Sequence, residues 1–210
     1  MRRPAPIALI ALPLLALTAC GGGGGGAGEQ ETPSPRPNAG TSPVARTGTA
    51  TPEPADAITS AYTQLDLDKC TVTDTSEEGA STDWRCPGLG DVPLFVYEGD
   101  GRFDLDAGVE NAKFQSIGAF NSIGDRIEWR LRGGVPYAAI FRYHDVTRQD
   151  DPRSVLAIEK VGSGDMPGCR VAQIAGDTPD ANGRARELAD SLAPGFDCAN
   201  DAMRVIGDAR

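Results

Sequence analysis

Between residues 69 and 175 the chain sets turn signals between short apolar-rich runs at close intervals, and this spacing constrains the fold more than any other feature. Asp100-Gly101 separates residues 92–97 from 102–106, and Asp-Gly between strand-like runs is a strong short-range hairpin signal. Gly133-Gly134 separates 125–132 from 137–144, and a Gly-Ser-Gly-Asp-Met-Pro-Gly stretch joins 154–161 to 169–175. A further pair, 69–75 and 81–86, flanks Glu77-Glu78-Gly79. Eight short strands in neighbouring pairs predict a mostly antiparallel β-sheet, curved or barrel-like.

One helix is expected after the last strand. Thr178 is placed to cap it, Pro179 suits the first helical position, and Asp180 complements the positive end of the dipole. Ala181, Ala185, Leu188, Ala189 and Leu192 share one face, and Pro194-Gly195 ends the run. Upstream, Ile58, Ala61, Tyr62 and Leu65 fall at helical spacing and predict a helical turn or two over 57–65. The expected class is α+β: hairpins with one C-terminal helix packed on them, in a single domain over residues 56–210.

Cysteines add a covalent framework. Apart from Cys20 there are Cys70, Cys86, Cys169 and Cys198. Four cysteines in an exported chain suggest two disulfides, with three pairings open. Cys70–Cys86 and Cys169–Cys198 are favoured because each closes a local loop. A metal site is not expected, since the chain has one histidine and no CxxC.

Residues 21–55 are six glycines followed by a tract rich in Pro, Thr, Ser and Ala, without the large apolar side chains that a core requires. As a random coil such a tether spans about 30–35 Å, and as extended polyproline II roughly 110 Å. Ahead of it, Met1-Arg2-Arg3 precedes the apolar run 7–17, which is too short to cross a membrane and contains Pro13. Residues 1–19 therefore have the layout of a secretory signal peptide. Leu17-Thr18-Ala19-Cys20 resembles the lipobox of bacterial lipoproteins. That resemblance covers residues 1–20 and implies lipidation of the Cys20 thiol, cleavage before it, and acylation of the new terminus. Gly21 stands where an aspartate would suggest inner-membrane retention, so the resemblance implies an outer-membrane anchor with the domain in the periplasm. The mature domain has the general look of uncharacterised proteobacterial lipoproteins, with no named family.

The chain carries 20 basic and 30 acidic residues, a net −10. From residue 56 onward the balance is −11, which repels phosphate backbones and excludes nucleic acid as an expected partner. The expected partners are the membrane, through the lipid, and an envelope protein or peptidoglycan. No motif implies a cofactor.

Three constellations bear on chemistry. On the hairpin around Gly133-Gly134, a two-residue turn puts Arg130 opposite Tyr137 and Arg126 opposite Phe141. One face would then carry Arg126, Glu128, Arg130 and Arg132 beside Tyr137, Phe141 and Tyr143, with Ile127, Trp129, Leu131, Ala138 and Ile140 on the core side. Guanidinium groups beside aromatic rings suit carboxylates, sugars or an extended peptide. The competing and favoured arrangement has the helix covering the aromatics while the arginines reach around its edge. Glu98, Asp100, Asp104 and Asp106 do not fit a calcium loop: counted from Asp104, the sixth position is Val109 and the twelfth Gln115. Alternating Asp104 and Asp106 instead mark a solvent side, with Phe103 and Leu105 turned inward. His144, the only histidine, lies beside Asp145 with no nucleophile motif in the chain, so no catalytic residue is assigned. The expected role is a non-catalytic binding or structural module. The alternatives are an inhibitor of a cell-wall hydrolase, resembling lysozyme inhibitors, and an acid–base hydrolase using His144 or a carboxylate pair.

Overall fold

Asp100 and Gly101 both adopt positive φ (55° and 70°), as do Gly133 and Gly134 (55° and 82°), the backbone that matches a two-residue turn to twisted strands. These turns organise the fold. The computed structural model describes residues 56–148 and 150–210. The signal segment 1–19, Cys20 and the tether through residue 55 lie outside the described residues. β2 (Thr71–Thr75), β3 (Ser81–Leu89), β4 (Val92–Gly99) and β5 (Arg102–Ala107) form a four-stranded antiparallel sheet in chain order. A larger, seven-stranded sheet has the order β1 (Ile58–Gln64), β7 (Arg126–Arg132), β8 (Val135–Asp145), β9 (Arg153–Lys160), β10 (Cys169–Ala175) and β11 (Arg204–Ile206). β6 (Asn121–Ile123) pairs with the far end of β8. All pairings are antiparallel except β10 with β11.

Three layers result. Leu94, Val96 and Leu105 of the smaller sheet meet Ile127, Trp129, Phe141 and Tyr143 of the larger one in the main core. On its other face, the larger sheet packs Ala138, Ile140, Ile158 and Ile174 against Ala181, Ala185 and Ala189 of α1 (Ala181–Leu192). The alanines let the helix lie close to the sheet. Each fully buried Leu, Ile or Phe contributes about 1.5–3 kcal/mol. The α+β class is as the turn pattern and helix periodicity predict, with the hairpins shared between two sheets. The disulfides are Cys70–Cys86 and Cys169–Cys198, the two local loops.

Three local expectations are corrected. Residues 58–64 are strand, not helix: β1 pairs along its whole length with β7, and its inward positions Thr59, Ala61 and Thr63 are small. The helix is capped by Asp180, in the left-handed conformation with its carboxylate accepting from the Gly183 N–H (3.3 Å), while Thr178 and Pro179 precede it. The third correction is one of register. Arg132 pairs with Val135 and Leu131 with Pro136, as a two-residue turn requires, but Arg130 then pairs with Ala138. Tyr137 is the extra residue of a β-bulge next to Pro136, which has no N–H to give the ladder.

Candidate functional site

That one-residue slip separates the arginine–aromatic group. Phe141 and Tyr143 turn into the main core between the sheets, on the side of Ile127 and Trp129. Ala138 and Ile140 go to the helix side, with Glu128 and Arg130. Arg126 and Arg132 are exposed, their guanidinium groups over the rings of Tyr62 (4.3 Å) and Tyr137 (5.8 Å). Arg130 and Tyr137 are engaged by α1. Arg130 Nε and Nη2 donate to the two oxygens of Asp190 (2.8 and 2.6 Å), and the Tyr137 hydroxyl donates to Oδ1 of the same carboxylate (2.6 Å). A second bidentate pair joins Arg186 of the helix to Glu128 of β7 (2.7 and 3.1 Å). Burial alone would raise the pKa of Glu128 and of Asp190. The bonds from Arg186 and Ser60 hold Glu128 below the usual range, and those from Arg130 and Tyr137 do the same for Asp190.

The densest polar group centres on Arg170, a residue outside the three constellations of the sequence. Arg170 of β10 is fully buried, stacked over Phe141 (5.1 Å) and Tyr143 (5.4 Å). Its Nε donates to Glu159 Oε2 (2.9 Å), and its Nη2 reaches the Tyr143 hydroxyl (3.1 Å) and Asp104 Oδ1 (3.3 Å). Gln173 accepts from Nη1 (3.0 Å) when its amide also donates to the Ala209 carbonyl (2.7 Å). Glu159 Oε1 is buried without a partner among the described residues. Burial pushes the carboxyls of Glu159 and Asp104 upward against the pull of Arg170. Asp106 is pushed up to about 7 by burial, reinforced by the charge of Asp104 and opposed by its bond to the Asn111 N–H. Arg170 contacts the carboxyls of Glu159 and Asp104, and its charge also acts on Asp106.

Beside this cluster opens a cavity of about 640 Å³, over the face of the smaller sheet that carries Asp104 and Asp106. The register Asp83–Tyr97–Asp104 places these residues opposite the inward Trp84, Val96 and Leu105. Residues 108–116 fold back over them. Asp106 accepts from the Asn111 N–H (2.9 Å) and Nδ2 (2.7 Å), and Asp104 Oδ2 accepts from the Gln115 N–H (2.7 Å). Phe114 meets Tyr97 edge-on at 5.6 Å and lies under Arg102 at 5.7 Å. Burial, then Asp74, raises the carboxyl of Asp83. The cavity therefore has aromatic walls (Phe95, Tyr97, Phe114) and carboxyls that burial raises above their ordinary range.

Asp104 and Asp106 do point away from Phe103 and Leu105, but the overlying segment buries both acids rather than leaving them in solvent. His144 is exposed, and the buried carboxylate of Asp145 is taken up by Thr147 and Arg153. Among the described residues no group of three or more His, Cys, Asp or Glu is arranged to hold a metal, and no helix is long and apolar enough to cross a membrane. Of the cavity lining, Asp100, Asp104 and Asp106 belong to the acidic group visible in the sequence, whereas the aromatic walls carried no sequence signal. Arg170 and Gln173 did: two polar residues inside the apolar strand Cys169–Ala175, buried along its whole length, are costly unless paired. Comparison with protein-family models, curated proteins and solved structures finds no match to this chain, so the site rests on its own residues.

Proposed function

We propose that this protein is a lipid-anchored lipoprotein of the bacterial outer membrane, its domain in the periplasm, and that it acts by binding rather than catalysis. The observation supporting the binding role is the cavity of about 640 Å³ in which Phe95, Tyr97 and Phe114 surround Asp83 and Asp106. Flat apolar ring faces beside carboxyl acceptors suit a ligand with hydroxyl donors on a compact scaffold, as in the sugar units of wall glycan. The lipobox-like residues 17–20 support the anchor. Full-length protein is expected to sediment with purified peptidoglycan and to bind soluble N-acetylglucosamine oligomers. Phe114→Ala and Tyr97→Ala should each weaken binding about tenfold, the worth of one lost aromatic contact. Unchanged binding in both variants refutes the cavity as the site. Cys20→Ser should move the protein from the detergent phase to the aqueous phase, and its retention in detergent refutes the anchor.

A second reading, an acid–base hydrolase, is favoured by one observation. Asp106, pushed up to about 7, lines the same cavity as Asp83, whose carboxyl burial also raises. Release of reducing ends from peptidoglycan, abolished in Asp106→Asn, would establish it in place of binding. Inhibition of lysozyme by the full-length protein would instead establish the hydrolase-inhibitor role.

A further inference from the structure

A second cleft, about 320 Å³, lies between β8, the turn before β7 and the start of α1, and its chemistry is opposite to that of the acidic cavity. The domain from residue 56 onward carries −11, and Arg130, Arg153, Arg170 and Arg186 each hold a carboxylate. Arg142 does not. Its Nη1 donates to the Ser154 hydroxyl (2.7 Å) and its Nη2 to Asn182 Oδ1 (3.2 Å), both neutral acceptors. Burial lowers its pKa, and no charge among the described residues offsets that cost. Arg126 lines the same cleft, its guanidinium resting 4.3 Å from the Tyr62 ring centre, and exposed His144 stands at the rim.

The cleft also contains acids, and their engagement decides its sign. Glu128 is occupied by both bonds from Arg186 and by the Ser60 hydroxyl (2.7 Å). Asp125 lies exposed and accepts from Gln64 Nε2 (3.1 Å). Donors of Arg142, Arg126 and His144 are therefore left without an anionic partner among the described residues. Gly124 keeps the space open: a Cβ there would sit 3.3 Å from the Arg142 carbonyl and 3.6 Å from His144 Nε2. A partly buried guanidinium held in place by neutral acceptors is preorganised for a planar or tetrahedral oxyanion.

We propose that this cleft binds a small oxyanion, a phosphate or carboxylate group carried by a small molecule, clamped between Arg142 and Arg126 beside the Tyr62 ring. The site is separate from the acidic cavity and stands whether or not that cavity binds glycan. The test is calorimetric titration of the full-length protein in detergent micelles with inorganic phosphate and with citrate. One-to-one binding of at least one anion is expected, weakened about tenfold or more in both Arg142→Gln and Arg126→Gln, since each removes a charge-assisted contact. Binding of phosphate alone assigns a phosphate-bearing ligand, and binding of citrate alone a carboxylate-bearing one. Arg142→Gln also alters contacts to Ser154 and Asn182, so Arg126→Gln, at the surface, reads the charge separately from the fold. No saturable binding of either anion up to about 10 mM overturns the proposal. Unchanged affinity in Arg126→Gln overturns the two-arginine clamp.

Discussion

Replacing Arg170 by Met tests the central polar cluster. The side chain is fully buried, and its removal deletes the bond to Glu159 Oε2 (2.9 Å), the bond to the Tyr143 hydroxyl (3.1 Å), the contact to Asp104 (3.3 Å) and the stacking on two rings. Asp104 keeps its acceptor bonds from the Leu105 N–H (2.8 Å) and Gln115 N–H (2.7 Å), so the cost concentrates on Glu159, whose other oxygen has no partner among the described residues. Removing one member of a buried ion pair costs about 3–5 kcal/mol, because the remaining carboxyl is left in an apolar setting. Replacing both members by apolar residues of similar size removes that penalty. Urea unfolding of the full-length protein at neutral pH should therefore show Arg170→Met destabilised by about 3–5 kcal/mol and Arg170→Met/Glu159→Leu recovering at least half of it. A single variant that loses less than about 1 kcal/mol, or a double variant as unstable as the single, refutes the assignment of Arg170 as counter-ion to this carboxyl.

Further outcomes follow from the same geometry. The carboxyls of Asp106, Asp104 and Glu159 are raised on folding, so their stabilising share is complete below the unfolded carboxylate pKa and is lost as pH rises towards and through about 7. Glu128 and Asp190 are lowered and lose their share only in acid. Urea midpoints should therefore fall from about pH 5 to pH 8, less steeply in Asp106→Asn, and a flat or rising profile contradicts the cluster. A double-mutant cycle on Arg130 and Asp190 should return a coupling of about 1.5–3 kcal/mol, as expected for a bidentate charged bond, and a coupling near zero would mean that α1 is held by its alanine face alone. Cys169→Ala/Cys198→Ala opens a loop with a sequence separation of 29. Its cost in thermal or urea unfolding should be about 3.5 kcal/mol, and a loss under about 1 kcal/mol would mean that the helix needs no covalent tie.

What could be read from the sequence was local chemistry. Gly133-Gly134 and Asp100-Gly101 announce their hairpins because positive φ at consecutive residues suits few residues but Gly, Asp and Asn. Alanines at 181, 185 and 189 announce the buried stripe of α1, and the short loops of the cysteine pairs agree with the disulfides. Tertiary structure decided the rest. β1 is a strand because β7 offers a complete ladder, and pairing overrides the helical spacing of Ile58, Ala61, Tyr62 and Leu65. The bulge at Tyr137 moves Phe141 and Tyr143 from the expected face into the core beneath Arg170, since strand side chains alternate and one extra residue inverts all that follow. Both clefts join residues far apart in the chain, Asp83 with Phe114 in one and Tyr62 with Arg142 and Asn182 in the other. Turn chemistry and helix spacing act between near neighbours and are therefore written in the sequence. A ligand site is assembled by strand register, and register is settled only when whole sheets pair and pack.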